Sequence, residues 1–208
     1  MNIGLLYKHY DFSSSNTIGI LSPVVLRPID QIPQGLSETD RVGTTIHIHS
    51  VELHVQFRPE ELIEVGSPVT SYLAGDIKWA FIIDRQPQPT DPSYNVIWTG
   101  HQATAFPISY NEGRFDIMFE DIISTYVTTD REITNVDQST GVVTSEIRPV
   151  THYDHRIQVF RFDPPLRIDY DESGTPRPVA GMEPLVSISS PDVPSHAQVR
   201  VRTLFSDY

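Results

Sequence analysis

The sequence predicts an all-β fold, an eight-stranded jelly-roll β-sandwich of the Greek-key type with long loops. Three observations predict it. Valine, isoleucine and threonine number 19, 21 and 17 of 208 residues, against 11 leucines and 6 alanines. β-Branched side chains fit pleated sheets, whereas leucine and alanine favour helices. Seventeen prolines punctuate the chain and would break long helices. Segments of period-two alternation are separated by connections of uneven length, a Greek-key pattern rather than a meander or a repeat array.

Each element follows in chain order. Residues 1–40 carry few charges and read as an extended N-terminal arm or lead-in lying against the domain; 41–208 form the single jelly-roll domain. Leu21–Pro28 is extended because prolines turn their neighbours away from helix, and Ser37-Glu38-Thr39-Asp40 is a turn. From Thr44 to Phe57 the apolar phase slips: Ile46 and Ile48 are even, whereas Val51, Leu53, Val55 and Phe57 are odd. One strand cannot change its buried face without an irregularity, so a β-bulge is expected at His49–Ser50. Pro59 to Leu62 reads as a turn or one helical turn. Asp76–Asp84 is a strand with Trp79, Phe81 and Ile83 on one face. The proline-rich loop 86–92 and a short strand near Tyr94–Trp98 follow. Arg114–Asp121 alternates with Phe115, Ile117 and Phe119 on one face. Residues 124–150 read as an insertion with a polar turn at 137–141. His155–Phe162 and Leu166–Tyr170 read as two strands separated by Pro164-Pro165. Leu185–Ser189 and Gln198–Phe205 close the chain, the last alternating Val199 and Val201 with Arg200 and Arg202.

Composition excludes several chemistries. Cysteine is absent, so there are no disulfides, thiolate zinc sites or cysteine nucleophile. No apolar run approaches the roughly 20 residues of a membrane helix, and residues 1–9 lack the pattern of a secretory leader. Fifteen basic against 27 acidic residues give a formal charge of −12, which opposes nucleic-acid binding through the bulk surface. Thirteen of the basic residues are arginines, scattered singly, a pattern that suits ion pairs on a solvated face or at an interface.

Candidate sites are few. His47 and His49 put two imidazoles on one strand face, which His54 joins beyond the bulge, but no carboxylate pair completes a metal site. Asp169-Tyr170-Asp171-Glu172-Ser173-Gly174 imitates a calcium loop, yet Ala180 stands where the bidentate glutamate belongs. His152-Tyr153-Asp154-His155 has no oxyanion-hole motif beside it. Neither a nucleophile elbow nor a glycine-rich phosphate loop is present. No catalytic, cofactor-binding or metal residue is therefore assigned, no cofactor is expected, and the chain is not expected to be an enzyme.

Four segments, in order, carry a resemblance. They are Ile32-Pro33-Gln34-Gly35 with Asp40-Arg41-Val42-Gly43; Phe81-Ile82-Ile83-Asp84-Arg85-Gln86-Pro87; Arg114-Phe115-Asp116-Ile117 running to Glu120-Asp121; and Arg200 to Asp207. Together they resemble the single-jelly-roll coat proteins of small circular, Rep-encoding single-stranded DNA viruses, and related coats of some plant RNA viruses and satellites. The resemblance covers about residues 30–208.

It implies a viral capsid protein that self-assembles, about 60 copies to a small T=1 icosahedral shell, around a single-stranded genome. The location implied is the virion, and the host cell during assembly, with no membrane partner. In that family the matched residues set strands and corners. Physically, Gly43 permits a turn, Arg41 can pair at an interface and Phe115 packs inside. Such coats usually carry an arginine- and lysine-rich N-terminal arm, whereas residues 1–40 hold only Lys8 and Arg27. The chain is therefore expected to bind its genome weakly, unless Arg41, Arg85 or Arg114 gather on one inner face. The alternative is a carbohydrate- or ligand-binding jelly roll, with Trp79, Trp98, Tyr94 and Tyr110 stacking on sugars; core packing is the stronger expectation for Trp79.

Overall fold

The computed structural model describes residues 7–19, 22–59, 61–62, 71–72, 75–99, 109–125, 127–136, 143–151, 154–171, 177–191 and 194–207. Its strands are β1 (Tyr7–Ile18), β2 (Val24–Leu26), β3 (Thr45–Pro59), β4 (Glu61–Leu62), β5 (Ser71–Tyr72), β6 (Gly75–Asp84), β7 (Trp98–Thr99), β8 (Ser109–Tyr110), β9 (Phe115–Thr125), β10 (Val127–Val136), β11 (Val143–Thr151), β12 (Asp154–Tyr170), β13 (Pro178–Gly181), β14 (Glu183–Ser189) and β15 (Ser195–Asp207). One helical turn, α1 (Tyr94–Ile97), precedes β7.

Two antiparallel sheets make the sandwich. One has the order β1-β15-β3-β12-β13, the other β2-β14-β6-β9. Taking the eight principal strands β1, β2, β3, β6, β9, β12, β14 and β15 in sequence, the sheets read first-eighth-third-sixth and second-seventh-fourth-fifth. That interleaving is the jelly roll, and β13 extends the larger sheet at one edge. Within residues 1–40, expected as an extended arm or lead-in, β1 and β2 are strands of this sandwich. β1 pairs with β15 over its whole length, Tyr7 opposite Ser206 to Ile18 opposite Ser195, and β2 pairs with β14. Even residues of β1 face inward, so Tyr10 and Phe12 pack on the core and Ile18 is fully buried.

The core between the sheets is apolar and rich in β-branched side chains. Ile46, Ile48, Val51, Leu53, Val55 and Phe57 of β3 meet Ile77, Trp79, Phe81 and Ile83 of β6. Both phases of β3 are buried because the bulge forms as expected. Leu204 pairs with Ser50 but Phe205 pairs with Ile48, leaving His49 as the extra residue. The neighbouring strand breaks at the same level, pairing Arg161 with Ser50 and then Leu166 with Ile48. Pro164 and Pro165 fall in that break. Proline lacks the N–H a ladder needs, so the two expected strands are one strand, β12, interrupted but not ended.

A second apolar cluster covers the far side of the smaller sheet. Ala80, Ile82, Phe115 and Leu185 pack there under Tyr94, Ile97 and Trp98. This explains why β6 is buried on both faces from Ile77 to Asp84. It also corrects two sequence expectations. Residues 94–97 form a helical turn, not a strand, because Tyr94 and Ile97, three apart, both drop onto the sheet. Phe115, Ile117 and Phe119 do not share a face. Phe81 pairs with Phe119 but Ile82 with Ile117, so Met118 is a bulge residue. Phe119 therefore turns inward to Trp79, at 5.0 Å between ring centroids, while Phe115 and Ile117 stay with the outer cluster.

The remaining connections are local. Glu61–Leu62 pair with Ser71–Tyr72 as a two-residue ladder rather than a helical turn. The insertion after β9 is the β10–β11 hairpin, closing at Val136 opposite Val143; the polar turn expected at 137–141 lies outside the described residues apart from these flanks. Asp40 closes the Ser37–Asp40 turn, its N–H donating to Ser37 at 3.2 Å.

Candidate functional site

The four segments of the resemblance come together in space as two clamps. The first joins the second and third segments. Asp84, fully buried at the end of β6, accepts two hydrogen bonds from Arg114, Nε at 2.8 Å and Nη2 at 2.6 Å, and one from the Gln86 N–H at 2.9 Å. The second clamp joins the first and last. Arg41 is 2% exposed. It donates to the carbonyls of Ile32 and Gly43 and lies over the Tyr170 ring at 4.5 Å. Next to it, the Val42 N–H donates to Asp207 at 3.0 Å, and Asp207 meets Lys8 at 2.7 Å. Arg41 was expected to serve an interface; it is an internal strut, because two carbonyls and an aromatic face satisfy its planar guanidinium.

A third charged cluster lies beside the first strands. Arg27 makes a two-pronged pair with Glu183, both contacts 2.9 Å, and also reaches Asp91 at 3.0 Å and Asp30 at 3.6 Å. Arg177 closes on Asp91 at 3.2 Å. Burial pushes the Glu183 carboxyl up to about 7 despite its arginine. Three carboxylates share two guanidiniums here, so the cluster holds one proton more readily than isolated acids would.

Arg41, Arg85 and Arg114 therefore do not gather on one inner face. Arg85 shares the β6 corner with Arg114 but pairs with Asp116 at 3.3 Å, while Arg41 is taken up inside the other clamp. The aromatic side chains proposed to stack on sugars are also committed elsewhere. Trp79, Trp98 and Tyr94 are 0%, 3% and 6% exposed, and Trp98 donates to Ser187 at 2.9 Å. Tyr110 packs edge-on against Trp98. None of the three buried rings offers a face to a sugar.

The surface that sequence reasoning missed is the outer face of the five-stranded sheet. The registers align side chains in rows across four strands. Asp11, Arg202, Glu52 and Val159 make one row, and Ser13, Arg200, His54 and Ile157 the next. Further rows bring Gln198 and Gln56 to His155, and Thr17 and His196 to Arg58. Three adjoining depressions run over these rows, the largest about 420 Å³. All six histidines among the described residues, His9, His47, His49, His54, His155 and His196, lie on this face. The signal was in the alternation: once the bulge is placed, each of these positions falls on the polar phase.

Local chemistry on this face is specific. Arg202 grips Asp11 at 2.7 and 2.9 Å, and these hydrogen bonds hold the Asp11 carboxyl below its ordinary range. His54 hydrogen-bonds Glu52 at 2.6 Å, with the His155 ring 5.9 Å away. His49 meets Ser206 at 2.9 Å and the edge of Tyr7 at 4.9 Å; burial, then His47, push its imidazole below the usual value. His47, His49 and His54 do share a face, but no group of three or more metal-ligating side chains is placed to hold an ion among the described residues. Asp169, of the calcium-like stretch, is bound by Thr45 at 2.6 Å and Arg167 at 3.1 Å; 172–174 and His152-Tyr153 lie outside the described residues.

No protein-family model and no curated protein matches the chain. Among solved structures it is similar to one described as a crystal structure of the 60-mer BFDV capsid protein, at 9% sequence identity. The alignment covers 97% of this chain and 92% of that one, with a TM-score of 0.37. The jelly-roll assignment rests on this chain's own strand order.

Proposed function

We propose that the chain is a viral coat subunit whose work is self-assembly into a closed icosahedral shell around a single-stranded genome, without enzymatic turnover. The observation that supports it most is the placing of the resemblance. The four segments that resemble single-jelly-roll coats sit at the corners of a jelly roll and pair with one another, Asp84 with Arg114 and Val42 with Asp207. Residues that resemble a family only in order along the chain here meet as physical partners.

Surface chemistry favours the same reading. Met118 and Ile122 are about half exposed on β9, the edge strand of the smaller sheet; Val179 and Met182 are exposed at the β13 end of the larger one. Apolar groups on different edges suit heterologous contacts, which close into shells when the rotation permits. Identical copies in a T=1 shell would number about 60. Electron microscopy and light scattering of the purified chain test the reading. Closed particles are expected; a 23.5 kDa monomer at every pH and salt would refute it.

A further inference from the structure

We infer that the outer face of the five-stranded sheet is a proton-switched binding surface for single-stranded nucleic acid, weak at neutral pH and strong in mild acid. The inference rests on the coat reading for its biological partner and on this face alone for its chemistry.

The three adjoining depressions are lined by three arginines, Arg58, Arg200 and Arg202, against two carboxylates, Asp11 and Glu52. At neutral pH that leaves one excess positive charge, on a chain of −12. The same depressions are lined by His54, His155 and His196. Imidazole is the side chain that gains charge between neutral and mildly acidic pH. Three protons raise the local excess from one to four, and phosphate affinity follows the number of cationic contacts.

The groups facing each histidine allow this. His54 sees Glu52 on its own strand, Arg200 on β15 and His155 on β12. His155 sees His54 and Gln56 on β3 and Arg200 and Gln198 on β15, and His196 sees Thr17 at 3.1 Å on β1 and Arg58 on β3. Among the described residues Glu52 is the one carboxylate bonded to these histidines, and Asp11, in the same depression as His54, is held by Arg202, so protonation of all three leaves a surplus rather than cancelling in ion pairs.

The face also carries what a polyanion without bases would not need. The paired His54 and His155 rings present π-surfaces beside the arginines. Ile157 and Val159, about half exposed, sit in the same rows. Stacking and apolar contact of that kind suit unpaired bases. This favours single-stranded nucleic acid over a sulfated glycan.

The test is anisotropy of labelled oligothymidylate with the full chain in dissociated subunits, at about pH 7.5 and about pH 5.5. Binding about tenfold tighter in acid is expected, weakening with salt. The triple variant His54→Gln/His155→Gln/His196→Gln should lose the pH response while Arg200→Gln weakens binding at both pH values; the single variant covers failure of the triple to fold. A pH response retained by the folded triple variant, or equal binding at both pH values, overturns the inference. So does heparin that competes as strongly, charge for charge, as oligothymidylate. Shells whose subunits show no pH response sink this inference and leave the coat reading standing; pH-switched binding without assembly does the reverse.

Discussion

Arg114 holds the buried carboxylate of Asp84 with two hydrogen bonds, across thirty residues of sequence and at the corner where β6 ends and β9 begins. The same corner ties Arg85 N–H to the Arg114 carbonyl at 2.9 Å, and the Arg85 side chain to the Glu112 carbonyl. A loop of some length is thereby closed at its base, so the covering turn α1 and strand β7 return to the sheet they cover. Removing the cation leaves a buried charge without its partner. Arg114→Gln should cost about 3 kcal/mol, read from the denaturant midpoint, while Asp84→Asn/Arg114→Gln should cost less than the two single changes summed.

Much of this architecture was legible because period-two alternation reports burial directly. The bulge at His49 was legible as a phase slip in Ile46 to Phe57. The bulge at Met118 was not, since Phe115, Ile117 and Phe119 keep one phase while the strand turns over. Nothing in the local sequence states that the smaller sheet is covered on both faces, and only that cover lets Phe115 be buried on the side opposite Phe119. The histidine face was legible only strand by strand, as polar-phase positions: its residues come from four strands far apart in sequence, and the registers gather them.

The bulge itself is testable by deletion. Without His49 the inward positions from Ile46 to Phe57 fall in one unbroken alternation, and Ser50 and Ile48 already face consecutive residues of β15. Without Glu52 the bulge stays and the run from Leu53 to Phe57 is turned to solvent, since a one-residue slip reverses every later side chain. Removal of His49 should therefore leave cooperative unfolding in place, and His49→Ala should cost about 1 kcal/mol or less, whereas removal of Glu52 should abolish cooperative unfolding. Leu53→Asp should also block folding, by burying an unpaired carboxylate. Circular dichroism on heating separates these outcomes.

Glu183 predicts a pH dependence with a definite sign. Its folded value of about 7 lies above the ordinary 4.5. Between those values the folded chain keeps a proton that the unfolded chain has released, so stability falls as pH rises across the window and levels off above it. Glu183→Gln should be free of this slope. Wild type minus variant should therefore decline by up to about 3 kcal/mol from pH 4.5 to 7.5. A difference that stays flat, or rises, would show that Arg27 keeps the carboxyl ionised in this range.

Assembly should depend on the exposed apolar groups of β9. Met118 is exposed because the bulge turns it outward, and Ile122 stands on the same edge strand, each about half accessible in the single subunit. Neither belongs to the buried clusters, so charge at these positions has little folding cost; surface changes of this kind are usually within about 0.5 kcal/mol. At a contact between copies, the same charge would be desolvated against an apolar partner and would act on association alone. Met118→Lys/Ile122→Lys should therefore keep the wild-type melting profile of the dissociated subunit while sharply reducing particle yield in light scattering. Equal particle yield from the variant would place the lateral contacts elsewhere, with the β13 edge at Val179 and Met182 the next surface to carry lysines.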